Sequence, residues 1–167
     1  MDPLKVVGLD LSITEPGLTH TLEGKACTHV LKTKRVRDLR LEEIKRWVLE
    51  FTDGAELVLI EGYLNRSMSA GITGMVHGAV RLGLIEAGIP YATFPPSSNK
   101  KYATGKGGAS KTEMALAAMK RAGLEFTNDN ACDSWWLWVA LNDHLGAAPF
   151  PLPVAQRAAL EKITREV

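Results

Sequence analysis

Cysteine, long apolar runs and a net charge of one sign are all scarce in this chain of 167 residues. Its two cysteines, Cys27 and Cys132, form no CxxC pair, so we expect two buried, reduced thiols. No apolar run approaches the length that spans a membrane, and the N-terminus lacks the basic-then-apolar order of a signal peptide. We therefore expect a cytoplasmic protein without a membrane partner, built as one compact domain with a real hydrophobic core.

Several motifs of known chemistry are also missing. A complete phosphate-binding loop and a G-x-S-x-G nucleophile turn are absent. The four histidines show no HxxxH spacing, and each is expected to be a surface or core residue: His20, His29, His77 and His144. The tryptophans near residue 136 are expected in the core or an interface rather than under a nucleic-acid base.

A net charge of +1 does not by itself predict a nucleic-acid partner, but the basic residues are clustered. One cluster at residues 32–40 is typical of a solvated face. The segment Ser97–Lys111 has no acidic residue, alternates with glycine and serine, and suits a loop lying along a phosphate backbone. Its lysines are Lys100, Lys101, Lys106 and Lys111.

The apolar pattern predicts strands over residues 4–11, 17–22, 25–33, 56–61 and 91–94, the first three as an antiparallel meander. Helices are predicted over residues 38–51, 68–87, 98–103, 110–121 and about 130–144, with a short peripheral helix within 154–167. Ser110 and Glu113 have the spacing of a capping box. This order of elements indicates the α/β class, a mixed sheet with helices on both faces.

Four acidic residues carry the chemistry. Asp10 and Glu61 each end an apolar strand, where a carboxylate is costly unless it is paired, hydrogen-bonded or metal-bound. Asp129 and Asp133 lie one turn apart on the last long helix. Such groups repel one another unless divalent cations lie between them, so together they predict a two-metal phosphodiesterase site.

The assignment of Asp129 has alternatives. It could be the N-cap or a first-turn acid of its helix, although Asn128 or Thr127 could cap equally well. Asn130 lies three residues before Asp133 and could supply an oxygen ligand instead.

Five segments of the chain, in order, resemble the RuvC-type Holliday junction resolvases of the RNase H-like superfamily: V-V-G-L-D-L-S-I-T-E-P-G, L-V-L-I-E-G-Y, H-G-A-V-R-L-G, S-N-K-K-Y-A-T-G-K-G-G-A-S-K and D-N-A-C-D-S-W-W-L. The last is closer to the phage-type members. The resemblance implies an RNase H-like mixed five-stranded sheet, an antiparallel meander plus parallel strands. It also implies a nuclease domain over residues 1–145 and a tail over residues 146–167, packed on the domain or extending from it.

Residue roles follow from the same resemblance. Asp10 would bridge two Mg²⁺ or Mn²⁺ ions, with Glu61, Asp133 and either Asp129 or Asn130 completing the ligands. Lys111 would support catalysis electrostatically. The expected DNA contacts are Lys100, Lys101, Lys106 and Tyr63.

The activity implied is a structure-selective endodeoxyribonuclease that resolves four-way DNA junctions by paired nicks. The protein would act as a homodimer joined through the helix at residues 68–87. A broader nuclease for forks and flaps, and a catalytically silent DNA-binding protein, stay open as alternatives. An ATPase or sugar kinase of the actin-like fold also begins with G-x-D-x-[ST], but this chain is too short for its second half.

Overall fold

Six strands form a mixed sheet in the computed structural model, which describes residues 3–62 and 70–167. The strands are β1 (Val6–Asp10), β2 (Gly17–Leu22), β3 (Lys25–Val30), β4 (Leu57–Glu61), β5 (Tyr91–Phe94) and β6 (Thr164–Arg165). Their order across the sheet is β3-β2-β1-β4-β5-β6. The pairs β1–β4 and β4–β5 are parallel and the others antiparallel, so the predicted meander and mixed sheet are confirmed.

The helices of the described residues are α1 (Arg37–Thr52), α2 (Ala70–Glu86), α3 (Pro96–Thr104), α4 (Lys111–Ala122), α5 (Asp129–His144) and α6 (Val154–Arg157). The capping box of α4 is confirmed, with Ser110 and Glu113 exchanging both hydrogen bonds. The helix predicted over residues 98–103 is longer, because Pro96 begins it at the position where proline's missing N–H costs nothing. None of the helices in the described part of the chain is long and apolar enough to cross a membrane.

The end of the chain differs from its prediction as a single peripheral helix. After α6 a 3₁₀ helix runs over Ala158–Lys162, and β6 then pairs with the outer edge of β5. The sheet therefore has one more strand than the five expected. Two residues are too few to give a strand pattern in sequence, yet they cover backbone groups that β5 would otherwise expose.

Side chains of the strands alternate between two apolar layers. Val7 and Leu9 of β1 lie in the layer that α1 and α2 cover. Val6 lies in the opposite layer, with Phe94 and the helices α3, α4 and α5. Helices thus cover both faces of the sheet, as expected for strands that are apolar almost throughout.

The tryptophans of α5 belong to the core, which confirms their prediction. Trp135, Trp136 and Trp138 are at most 7% exposed. Of the two free cysteines Cys132 is buried, but Cys27 is only half-buried, contrary to expectation. Cys27 lies on β3 at the edge of the sheet, where fewer atoms cover it.

Helix α5 lies in direct backbone contact with β1 and with the start of β2. A Cβ atom on Gly8 would approach the backbone nitrogen of Trp138 to 2.6 Å, and one on Gly17 would overlap the backbone carbonyl of Asn130. Neither neighbour is a side chain that can rotate away. Glycine at these two positions is therefore what lets the helix approach the strands so closely.

The C-terminal segment fastens α3 to α5 through a buried carboxylate. Asp143 of α5 accepts a hydrogen bond from the Tyr102 hydroxyl of α3 at 3.0 Å and a forked contact from Arg157 of α6 at 2.7–3.1 Å. Gln156 also donates to the backbone carbonyl of Tyr102 at 2.8 Å. These contacts hold α3 in place, and α3 carries two residues of the site described next.

Gly8→Ala should destabilise the fold, because the added methyl group meets backbone atoms of α5. We expect a loss of about 1–3 kcal/mol in the free energy of unfolding, the usual cost of overpacking. The control is Gly108→Ala, whose Cβ atom has no neighbour within 4 Å and which should change stability by less than about 0.5 kcal/mol. Urea denaturation measures both, and equal midpoints for the two variants would contradict the close approach.

Candidate active site

Three of the four predicted acids meet at one edge of the sheet. Asp10 ends β1, Glu61 ends β4 and Asp133 lies in the second turn of α5. Since β1 and β4 are parallel neighbours, their carboxyl ends coincide, and α5 crosses β1 at that point. One carboxylate oxygen from each residue lies within 4.8 Å of the other two.

The three carboxylates raise one another's pKa. Burial and the neighbouring Asp133 raise the pKa of Glu61 to about 8, against the opposing effects of Asn99 and Lys100. Burial and Asp129 raise that of Asp133 to about 6. Burial, then Glu61 and Asp133, also raises the pKa of Asp10 well above its usual range. Negative charge is thus concentrated where the surroundings do not neutralise it.

Asn99 of α3 is a member of this site that sequence analysis missed. Its side chain is fully buried, and Nδ2 donates to Oε1 of Glu61 at 3.3 Å and to the backbone carbonyl of Asp133 at 3.4 Å. Its Oδ1 is also buried and has no hydrogen-bond partner among the described residues. The only signal in the sequence was its position beside Lys100, in a short predicted helix that carries no acidic residue.

Asp129 lies at the rim and is paired with a lysine. Its Oδ2 accepts a hydrogen bond from Nζ of Lys111 at 2.6 Å, and both side chains are largely exposed. The N-cap of α5 is Asn128, whose side chain accepts from the backbone N–H of Ala131. Asp129 is therefore not the N-cap of α5, and its carboxylate is available for another role.

Asn130 is turned toward the loop that follows β1. Its Nδ2 donates to the backbone carbonyl of Glu15 at 2.7 Å, and Nδ2 of Asn128 donates to the Glu15 carboxylate at 3.0 Å. The start of α5 is thereby tied to the β1–β2 loop. Asp133 belongs to this helix, and Asp10 precedes this loop.

The predicted DNA contacts are distributed unevenly. Lys100 lies close enough to the acids to lower the pKa of both Glu61 and Asp133. Lys101 is exposed and lines a separate cavity beside Lys162. Lys106 forms an exposed ion pair with Glu113 at 2.9 Å. Tyr63 lies outside the described residues.

The donor set fits a hard divalent cation. All three converging groups are carboxylates, which Mg²⁺ and Mn²⁺ prefer over nitrogen or sulfur. Burial is the largest cause of the raised pKa values, and the nearby acids add repulsion that Lys100 and Lys111 offset only in part. The unpartnered Oδ1 of Asn99 adds a buried oxygen beside them. Cations between the carboxylates would relieve this repulsion, and we expect them to bind there.

Comparison with known proteins agrees with this geometry. No family model matches the chain. The crossover junction endodeoxyribonuclease RuvC of Corynebacterium glutamicum is 28% identical over 135 residues, a match covering 72% of this chain and 60% of the relative. RuvC of Corynebacterium efficiens is 28% identical over 133 residues, with the same shares. The structure of T. thermophilus RuvC in complex with a Holliday junction substrate is 28% identical, with a TM-score of 0.69 over 87% of this chain and 98% of that one.

The chain is similar to RuvC in both sequence and fold. Its sheet order and helices agree with the RNase H-like fold of that family. A second Thermus thermophilus RuvC structure matches with a TM-score of 0.65, at 28% identity and the same coverage. The chain spans about 60% of the length of the curated relatives it matches, so their activity enters below as a proposal.

Glu61→Gln should stabilise the metal-free protein at pH 8. The pKa of Glu61 is raised in the folded state, so folded protein binds more protons than unfolded protein, and stability falls as pH rises from about 4.5 to 8. Removing the charge abolishes this loss. We expect Tm to rise by roughly 3–10 °C at pH 8, and by much less at pH 4.5, where the carboxyl group is protonated in the folded state.

The matched control is Glu125→Gln, which removes an exposed carboxylate away from the site. Thermal melts with a chelator present measure both variants. An equal pH dependence of Tm in Glu61→Gln and the unmodified chain would contradict the assigned repulsion.

Proposed function

We propose that this chain is a structure-selective endodeoxyribonuclease that resolves four-way DNA junctions by paired, metal-dependent hydrolytic nicks. The observation that carries the proposal is the convergence of Asp10, Glu61 and Asp133 within 4.8 Å at the carboxyl ends of β1 and β4. The likeness to a RuvC described in complex with a Holliday junction substrate supports the choice of DNA as substrate.

The proposed cofactor is a pair of Mg²⁺ or Mn²⁺ ions. Such a pair, when bound, would activate water and stabilise the leaving oxygen of an in-line displacement. Asp10 is the proposed shared ligand, as the resemblance to the resolvases implies, and Glu61 and Asp133 are the proposed ligands of the individual ions. Asn99 orients Glu61 through its hydrogen bond and acts as a positioning residue.

The fourth ligand is proposed to be Asp129 rather than Asn130. The Asn130 amide nitrogen is engaged by the Glu15 backbone, which directs that side chain toward the β1–β2 loop. The Asp129 carboxylate is at the rim, held only by the mobile ammonium group of Lys111. A phosphate entering the site would attract Lys111 and release Asp129 toward a cation.

The lysines of the segment Ser97–Lys111 are proposed to bind the DNA backbone. Lys100 lies close to Glu61 and Asp133 and suits the phosphate at the cut. Lys101 and Lys106 are exposed and suit flanking phosphates. Tyr63 stays a proposed contact of the junction. Because affinity depends on these phosphate contacts, it should weaken steeply with salt.

A homodimer joined through α2 is proposed as the active form. The helix exposes Ile72, Met75 and Leu82, each 53–56% accessible, with spacings that keep them on one side. Its other side, including Val76 and Val80, is buried against the sheet. A two-fold dimer would bury the exposed stripe and present two equivalent sites to the two related strands of a junction.

Asp10→Asn should reduce junction cleavage by more than about 100-fold while leaving junction binding intact or tighter. The substitution removes a metal ligand, and it also removes negative charge facing the phosphates. Cleavage of a synthetic four-way junction with Mg²⁺ or Mn²⁺ measures the rate, and gel shift without metal measures binding. Asp53→Asn, an exposed acid at the end of α1, is the control and should cleave normally.

The outcomes of this assay separate the candidate functions. Absence of nicking by the unmodified chain under either metal would indicate a DNA-binding protein without catalysis. Equal rates on junction, fork and flap would indicate a broader branched-DNA nuclease. Full activity of Asp10→Asn would overturn the site itself.

Lys111→Ala should lower the cleavage rate more than the affinity for DNA, because Lys111 is proposed to stabilise phosphate charge in the transition state. A loss of about 10–1000-fold in single-turnover rate is expected. Lys120→Ala, an exposed lysine of the same helix, is the control and should leave the rate unchanged. A drop in affinity alone would assign Lys111 to DNA binding.

Leu82→Glu should dissociate the proposed dimer, since a carboxylate would be buried in an apolar contact. Leu22→Glu alters a leucine of similar exposure on β2 and should not change assembly. Sedimentation velocity measures the mass of each variant. A monomeric unmodified chain at micromolar concentration would contradict the dimer.

A further inference from the structure

A second group of metal-ligating side chains lies on the β2–β3 hairpin, on the face of the sheet opposite the acidic site. His20 and Cys27 are directly paired across the two strands, and His29 follows Cys27 by two residues, so all three point to one face. Their ligand atoms lie within 4.8 Å of one another.

The distances within this group converge on one nitrogen. Nε2 of His29 lies 3.2 Å from Nε2 of His20 and 3.3 Å from Sγ of Cys27. An imidazole nitrogen carries either one proton or one lone pair, so it cannot form a full hydrogen bond with both neighbours. A cation between the three atoms would satisfy all of them together.

The spacing also fits tetrahedral coordination. Zinc binds sulfur at about 2.3 Å and imidazole nitrogen at about 2.0–2.1 Å, which separates ligand atoms by about 3.3–3.6 Å. The two separations in the structure, 3.2 and 3.3 Å, lie within about 0.3 Å of these values. All three residues are half-buried, so solvent reaches the remaining coordination position.

The surroundings orient the two imidazoles. The ring of Phe51 at the end of α1 lies 4.5 Å from the ring of His29 and 5.2 Å from that of His20. Trp47 packs edge-on against Phe51 at 5.8 Å. The Phe51 ring therefore packs against both imidazole rings and limits their rotation. Their Nε2 atoms face each other. Burial also lowers the pKa of both histidines, which favours the neutral form that a metal requires.

We propose that His20, Cys27 and His29 bind one divalent transition-metal ion of the zinc class, with water as the fourth ligand. Two imidazoles and a thiolate form a softer donor set than the carboxylates of the acidic site, so the two sites select different metals. A bound ion would cross-link β3, the edge strand of the sheet, to β2.

Cobalt titration of the chelator-treated full chain tests this proposal, with Co²⁺ as the spectroscopic substitute for Zn²⁺. We expect one equivalent to produce the intense visible bands of a tetrahedral ion and a thiolate-to-cobalt charge-transfer band. Excess Mg²⁺ should leave these bands in place, and Zn²⁺ should remove them. The thiol must lose its proton on binding, so about one proton should be released per ion.

Variants assign the ligands. Cys27→Ser should lose the charge-transfer band, and His20→Gln should weaken cobalt binding at least about tenfold. His144→Gln, an exposed histidine of α5, and Cys132→Ala, the other cysteine, should retain the band. Zn²⁺ should raise Tm of the unmodified chain but not of His20→Gln.

The proposal is overturned if the unmodified chain shows no charge-transfer band, or if the band survives Cys27→Ser. The first result is independent of whether any variant folds. Neither result depends on nuclease activity, since the titration contains no nucleic acid.

Discussion

The active-site geometry depends on the direct backbone contact between α5 and β1. Glycine at positions 8 and 17 removes the side chains that would separate them, so the helix lies against the strand. The same contact brings Asp133 to the carboxyl end of β1, where Asp10 is held. A helix one methyl group farther away would still bury its tryptophans, but its carboxylate would not reach the other two.

That close contact has an electrostatic cost. Three carboxylates within 4.8 Å raise one another's pKa, and burial prevents water from screening them. Lys100 and Lys111 offset part of this repulsion. Asn99 holds Glu61, and the contacts among Tyr102, Asp143 and Arg157 hold the helix that carries Asn99. The repulsion between the carboxylates lowers the stability of the folded protein when no cation is bound. Functional sites commonly reduce stability in this way.

Much of this organisation could be predicted from sequence. Asp10 and Glu61 each end an apolar strand, and parallel neighbours bring such ends together, so their meeting needed no coordinates. Asn99 could not be found in this way, because nothing in its short predicted helix indicates that this amide would be buried beside Glu61. The pairing of Lys111 with Asp129 depends on how α4 and α5 approach each other, which local patterns do not encode. The strand β6 has only two residues, which is too short for an alternating apolar pattern in the sequence.

The histidines show most clearly what sequence patterns can predict and what they cannot. Sequence spacing indicated isolated surface or core residues, because a helical ligand motif was absent. The register of β2 and β3 then placed His20 opposite Cys27 and beside His29. By itself the sequence determined the fold class, the strand-end acids and the basic segment, because these follow from local apolar periodicity and charge. Only the tertiary structure decided which polar groups share a site, because cross-strand register and helix packing join residues that are distant along the chain.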